Sequence, residues 1–204
     1  MSQRVLDVSD LPHGTADSRA LLWWGNLGMM AIEGAVFAMV LATFLYLRVS
    51  NLDWPPATVP KPDLTLPLVN LVLLMLMIIP TLILDRLSLR DQTGAVKLAL
   101  AVCLGGGVAF LVIRAINMAS LGFKWSDHAY GSIVWTCFFL HTLHMCAATG
   151  ETTLLLVYSL VRPVMKKTLL DFRCLAVYWY FVILWWLPFF FLIYIEPWMR
   201  RKGS

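Results

Sequence analysis

Apolar residues fall in five long runs, at about 21–47, 66–84, 95–116, 131–160 and 174–195, and polar residues gather between them. Each run has about the 18–20 residues a helix needs to cross a bilayer at about 1.5 Å per residue, or more. The pattern predicts an all-α fold, an integral membrane bundle of five transmembrane helices over residues 21–198. A polar tail, residues 1–20, precedes it, with Asp17 or Ser18 placed to cap the first helix.

The punctuation between the runs refines this picture. Residues 48–65 carry Pro55, Pro56, Pro60 and Pro62 and predict a rigid, non-helical connection. Pro67 suits the first turn of the second helix, and Pro80 predicts a kink or an early end there. Residues 85–94 read as a charged turn, 117–130 as a lead into the fourth helix, and 161–173 as a basic loop. Gly105, Gly106 and Gly107 lower helix propensity in the third run and make sense where a neighbour presses close; Gly25, Gly28 and Gly34 do the same for the first.

Composition agrees with a membrane protein: 60% of the 204 residues are hydrophobic and 14% charged, against about 25% charged in soluble domains. There is no room for a separate soluble domain. The net charge of +4 sits in loops, where it sets topology, so nucleic acid is excluded as a partner. Five spans put the termini on opposite sides. Arg4, Arg19, Arg86, Arg90, Lys97, Arg162, Lys166, Lys167 and Arg173 share the N-terminal side, against Arg48, Lys61, Lys124, Arg200, Arg201 and Lys202. This bias predicts a cytoplasmic N-terminus and a C-terminus on the far side. The cysteines at 103, 137, 146 and 174 show no CxxC spacing, which argues against a disulfide framework or a zinc site. The first 20 residues lack an apolar core, so no cleavable signal peptide is expected.

Candidate chemistry lies inside the spans. Glu33 stands near the middle of the first helix, where an ionised carboxylate costs about 2.5–3.5 kcal/mol on insertion scales. It must face protein or water, be protonated, or both. In the fourth run, Cys137, His141, His144, Glu151, Thr152 and Tyr158 share about a third of the helix circumference, with Ile133, Trp135, Leu140 and Leu156 opposite. Histidines three apart on one helix could share a metal but not clasp a heme from both sides. His13 and His128 lie in loops, and no second Glu-x-x-His helix supplies a di-iron site. The reading is therefore no metal, cofactor-binding or catalytic residue of its own. The stripe is left as an inter-helix hydrogen-bonding seam, an interface, or a route for protons. Arg114, near the end of the third run, reads as an anchor snorkelling to the interface. The tryptophans read as belt residues.

Four motifs in order carry a resemblance. They are Trp24-Gly25 with Glu33, Phe37 and Arg48; Trp54-Pro55-Pro56 followed by Leu66-Pro67-Leu68 and Asn70; Ala129-Tyr130-Gly131-Ser132 with His141-x-x-His144; and Tyr178-Trp179 with Phe181-Val182 and Trp185. In this the chain resembles subunit III of the heme–copper oxidases, in its five-helix bacterial form. The departures are Tyr180 and Ile183 in place of the family's histidine and aspartate, Phe138-Phe139 for its Thr-Gly, Thr142 for a glycine, and Asn117 for a carboxylate. They imply a divergent branch, serving a variant oxidase or a nitric oxide reductase.

The resemblance implies an accessory subunit without redox centres in a bacterial inner membrane. It would pack against oxidase subunit I, which carries the hemes and one copper, and subunit II, which carries a second copper or its quinol-oxidase equivalent. Such a subunit binds phospholipid between its helices and supports assembly, proton uptake and durable turnover. Glu33 matches the family's buried glutamate, and Glu33, Arg114, His141, His144, Glu151 and Tyr180 are the buried polar candidates for proton or lipid-cleft roles. A small transporter or channel is the rival of another class; the absence of an internal repeat weighs against it.

Overall fold

The computed structural model describes residues 21–60, 62–88, 93–162, 164 and 166–200. The expected tail, its cap at Asp17 or Ser18, and His13 lie outside the described residues. The helices are α1 (Leu21–Ser50), α2 (Thr65–Leu76), α3 (Ile78–Ser88), α4 (Thr93–Ala119), α5 (Ala129–Val161), α6 (Lys166–Phe190) and α7 (Glu196–Arg200), with a π-helical turn, Phe191–Ile195, between the last two. No strand occurs among the described residues. Five spans are long and apolar enough to cross a membrane, with α2 and α3 forming one and α6 to α7 another.

Local chemistry sets the ends. Asp63 Oδ1 accepts hydrogen bonds from the backbone N–H of Thr65 (2.9 Å) and from its hydroxyl (2.8 Å), opening α2. Those two bonds hold the Asp63 carboxyl below the ordinary aspartate range. His128 caps α5, its Nδ1 accepting from the Gly131 N–H at 2.7 Å. The second span breaks at Met77, between α2 and α3. Pro80 has no N–H to return to the Leu76 carbonyl. The Thr81 N–H and hydroxyl instead both reach the Met77 carbonyl, at 3.2 and 2.8 Å.

The basic loop expected over 161–173 is much shorter, because α6 begins at Lys166. Leu169, Leu170 and Phe172 are buried and give this first turn and a half an apolar face of its own. Arg173 lies over the Trp23 ring (4.7 Å) and 3.8 Å from Asp85, which fastens the same end of α1, α3 and α6.

From α2 onward packing follows chain order, with α2 also reaching α4 and α3 reaching α6, while α1 rests on α5 and α6. The core is aromatic: Phe37, Phe44, Phe110, Phe138, Phe172, Trp179, Trp186 and Phe189 are fully buried. A Cβ on Gly106 would collide with Met77 Sδ, and one on Gly107 would lie 2.6 Å from Thr149 Oγ1. Those two glycines thus let α4 approach its neighbours, as expected. Gly105, Gly25 and Gly28 face open space, whereas Gly34 meets Phe181 and Trp185 at ordinary contact distance. The α1 glycines at 25 and 28 therefore do not serve contacts within this chain.

Candidate functional site

Three packed helices bring Glu33 and His144 together near the middle of the bundle. Glu33 on α1 places Oε2 3.7 Å from His144 Nε2 on α5, its side chain one-quarter exposed. Phe37, one turn along α1, sets its ring edge-on to His144 at 4.7 Å. Tyr178 of α6 adjoins Glu33. His144 Nδ1 lies 2.7 Å from the Leu140 carbonyl. A carbonyl only accepts, so Nδ1 carries the proton. Nε2 is then the ring nitrogen that faces the Glu33 carboxyl.

One turn along α5, His141 is fully buried and points elsewhere. Its Nε2 donates to the Val182 carbonyl of α6 at 3.1 Å. Its ring packs on Trp186 (4.7 Å) and Phe110 (5.7 Å). Next to it lies Arg114, and here the sequence expectation fails: the side chain does not snorkel but turns inward, 1% exposed. Its guanidinium carbon sits 3.6 Å from the Trp186 ring centre and 4.9 Å from those of Phe110 and Phe138. Desolvated cation–π contacts are worth about 2 kcal/mol or more, which makes the aromatic box the alternative to the interface. One turn further, Asn117 donates to the Tyr194 hydroxyl at 2.8 Å.

The remaining candidates do not join this group. Glu151 is half-buried and faces the like charge of Asp171 and the Cys174 thiol rather than the histidines. Tyr180 stands near Asp85 and Arg86. The polar stripe expected along α5 is thus interrupted. Ile133, on the side opposite the stripe, is buried, while Tyr158 within the stripe is only half-buried. The physical reason is that α5 packs against α4, α6 and α1 at once, so more than one face is covered.

Several polar contacts had no expectation attached. Trp179 Nε1 donates to Thr152 Oγ1 (3.0 Å), tying α6 to α5, and Asn26 Nδ2 donates to the Cys174 carbonyl (3.2 Å), tying α1 to α6. Arg48 pairs with the buried Glu196 at 2.9 Å. An asparagine inside an apolar run and a carboxylate followed by a proline-tryptophan end were the available signals. Among the described residues, no three His, Cys, Asp or Glu side chains stand close enough together to hold a metal ion.

These features define a multi-pass, all-helical membrane protein whose interior polar groups serve contacts between helices. A family model described as cytochrome c oxidase subunit III matches residues 20–199. Over 167 residues, 80% of either sequence, the chain is 26% identical to cytochrome c oxidase subunit 3 of Bacillus subtilis (strain 168). The chain belongs to the cytochrome c oxidase subunit III family, and is an oxidase subunit III that works in a complex with other oxidase subunits.

Proposed function

We propose that this chain is the redox-silent accessory subunit of a respiratory heme–copper terminal oxidase, a cytochrome c oxidase, in the bacterial cytoplasmic membrane. It assembles on subunit I and subunit II, which hold the hemes and copper, and supports assembly, phospholipid binding and proton uptake by the catalytic subunit. Residues 21–198 act as one membrane domain behind the polar tail 1–20, with the N-terminus cytoplasmic; the surplus of basic residues on that side supports the orientation.

The observation that carries this reading is a family match spanning nearly the whole chain. The interior supports it too. Glu33 of α1 and His144 of α5 face each other, and His141 spends its donor on the Val182 backbone carbonyl. These are contacts between helices, as a scaffold needs. The exposed apolar side of α1, including Ile32, Met39 and Val49, supports lipid contact. His141, His144 and Arg114 act as buried polar groups, the half-buried Glu33 as the partner that faces His144, and Glu151 and Tyr180 as polar groups nearer the periphery.

The test is to purify the oxidase from cells with and without this chain. Heme and copper content per subunit I is expected to be unchanged, while proton uptake slows and turnover fails sooner. Loss of heme or copper from a fully assembled complex lacking the chain would contradict a redox-silent role.

A further inference from the structure

The outer face of α5 carries two cavities that share a wall, the Trp135 side chain. One, of about 560 Å³, is mostly apolar and runs along the helix between Trp125, Phe139, Leu140 and Leu143. The other, of about 350 Å³, lies at the start of the helix and is lined by Gly122, Phe123, Lys124 and Asp127 of the α4–α5 connection. The shared ring is held in place: Trp135 Nε1 donates to the Phe123 carbonyl at 3.2 Å, and its ring centre lies 5.6 Å from that of Phe139. The connection is fastened to the same end of α5. Ser132 Oγ donates to the Trp125 carbonyl at 2.7 Å, and the Lys124 N–H donates to Asp127 Oδ2 at 2.7 Å. This chain leaves the groove open, with Trp125, Phe139 and Leu143 each more than half exposed.

Length decides between occupants. From Ser132 to Leu143 the groove follows α5 for about 16 Å, at about 1.5 Å per residue. That is roughly half of a hydrocarbon core of about 30 Å. A neighbour's transmembrane helix needs a seat through the whole thickness; an acyl chain of one leaflet needs half. Trp125 and Trp135 stand at the outer end of the groove, where tryptophans meet the headgroup level. Beyond them Lys124 and Asp127 bring one charge of each sign to the smaller cavity. A headgroup with a phosphate and a primary ammonium matches both. An anionic headgroup without the ammonium leaves the Asp127 carboxylate beside a like charge.

We propose that this face binds one zwitterionic phospholipid, its phosphate at Lys124, its ammonium at Asp127 and one acyl chain in the groove beside Phe139 and Leu143. The site lies on the outside of a single helix, in the leaflet opposite the start of α1. It deepens the lipid-binding part of the proposed function and rests on that reading only for the class of ligand.

The test titrates the full chain, purified in detergent and stripped of lipid, with phosphatidylethanolamine or phosphatidylglycerol of identical chains, and counts bound lipid by native mass spectrometry. One phosphatidylethanolamine is expected to bind about fivefold tighter than phosphatidylglycerol, the worth of one exposed charge contact. Asp127→Asn, which keeps an acceptor for the Lys124 N–H, is expected to erase that preference. Thr136→Trp, which fills the groove from the exposed side of α5, is expected to lose the bound lipid. Equal affinity for the two lipids, or unchanged retention by Thr136→Trp, overturns the site; lipid still held by that variant sits elsewhere on the chain and leaves the proposed function standing. Should Thr136→Trp fail to fold, a photoreactive benzoylphenylalanine replacing Leu143 in the assembled oxidase decides. Adducts enriched in phosphatidylethanolamine over the bulk membrane support the site. Adducts of bulk composition, or with another subunit's polypeptide, overturn it.

Discussion

The run Gly105-Gly106-Gly107 lets the packing of α4 be tested one residue at a time. Changing any of the three to alanine gains about 1 kcal/mol of helix propensity; the space around each decides what is subtracted. At Gly107 the new methyl would lie 2.6 Å from Thr149 Oγ1 and 3.1 Å from Trp179 Cη2. Neither yields easily, because Thr149 Oγ1 donates to the Met145 carbonyl (2.7 Å) and Trp179 Nε1 to Thr152 (3.0 Å). Overpacking of this kind costs about 1–3 kcal/mol, and a lost hydrogen bond adds about 1. Gly107→Ala should therefore destabilise by about 1–3 kcal/mol net. At Gly106 the neighbour is the end of the long Met77 side chain, which can adopt another rotamer, so the change should fall near neutral. At Gly105 nothing stands within 4 Å, and the propensity gain remains. Thermal unfolding in detergent, followed by near-ultraviolet circular dichroism, should rank Gly105→Ala at or above the unaltered protein and Gly107→Ala lowest. At about 2–4 °C per kcal/mol for a chain of this size, the extremes should differ by about 4 °C or more. Equal midpoints for the two variants would refute the close approach of α4 to Thr149 and Trp179 at Gly107.

Three further outcomes are expected. Arg48→Met leaves the buried Glu196 carboxylate without the guanidinium at 2.9 Å; since Arg48 is itself partly exposed, the loss should be about 1–3 kcal/mol in denaturant titration, and no loss would mean the pair contributes nothing. A double-mutant cycle of Trp179→Phe and Thr152→Val should return a coupling of about 1 kcal/mol for their hydrogen bond, with additive single effects counting against it. Asp63 should titrate below an ordinary aspartate by carbon-13 NMR. Its contribution to the start of α2 is present above the ordinary aspartate value and is lost as pH falls through the lowered one, so a midpoint at or above that of a model peptide would contradict the Thr65 bonds.

Helix number and order were legible because a run of about 20 apolar residues has few alternatives in one chain. The errors have particular causes. Lys166 and Lys167 made residues 161–173 look like a loop, yet Leu169, Leu170 and Phe172 give α6 a buried face before its charge ends. The break at Met77 lies one turn before Pro80, where the missing N–H takes effect. Arg114 was misread because position along a helix gives depth and not direction: aromatic rings from α4, α5 and α6 meet there, and no single-helix pattern carries that. The pairing of Glu33 with His144 needed two helices in register, which hydrophobic periodicity does not encode. Glu151 lies on the same side of α5 as the histidines but two turns along, where its neighbour is Asp171.

Family membership turns the functional account on one physical association. An affinity tag on this chain, mild detergent extraction from its native membrane, and an absorption spectrum with subunit identification measure it directly. The account predicts heme absorbance travelling with the tag at fixed stoichiometry, together with a larger histidine-rich subunit that holds the heme. A tagged chain recovered alone, from membranes in which an assembled heme–copper oxidase is demonstrably present, would contradict it.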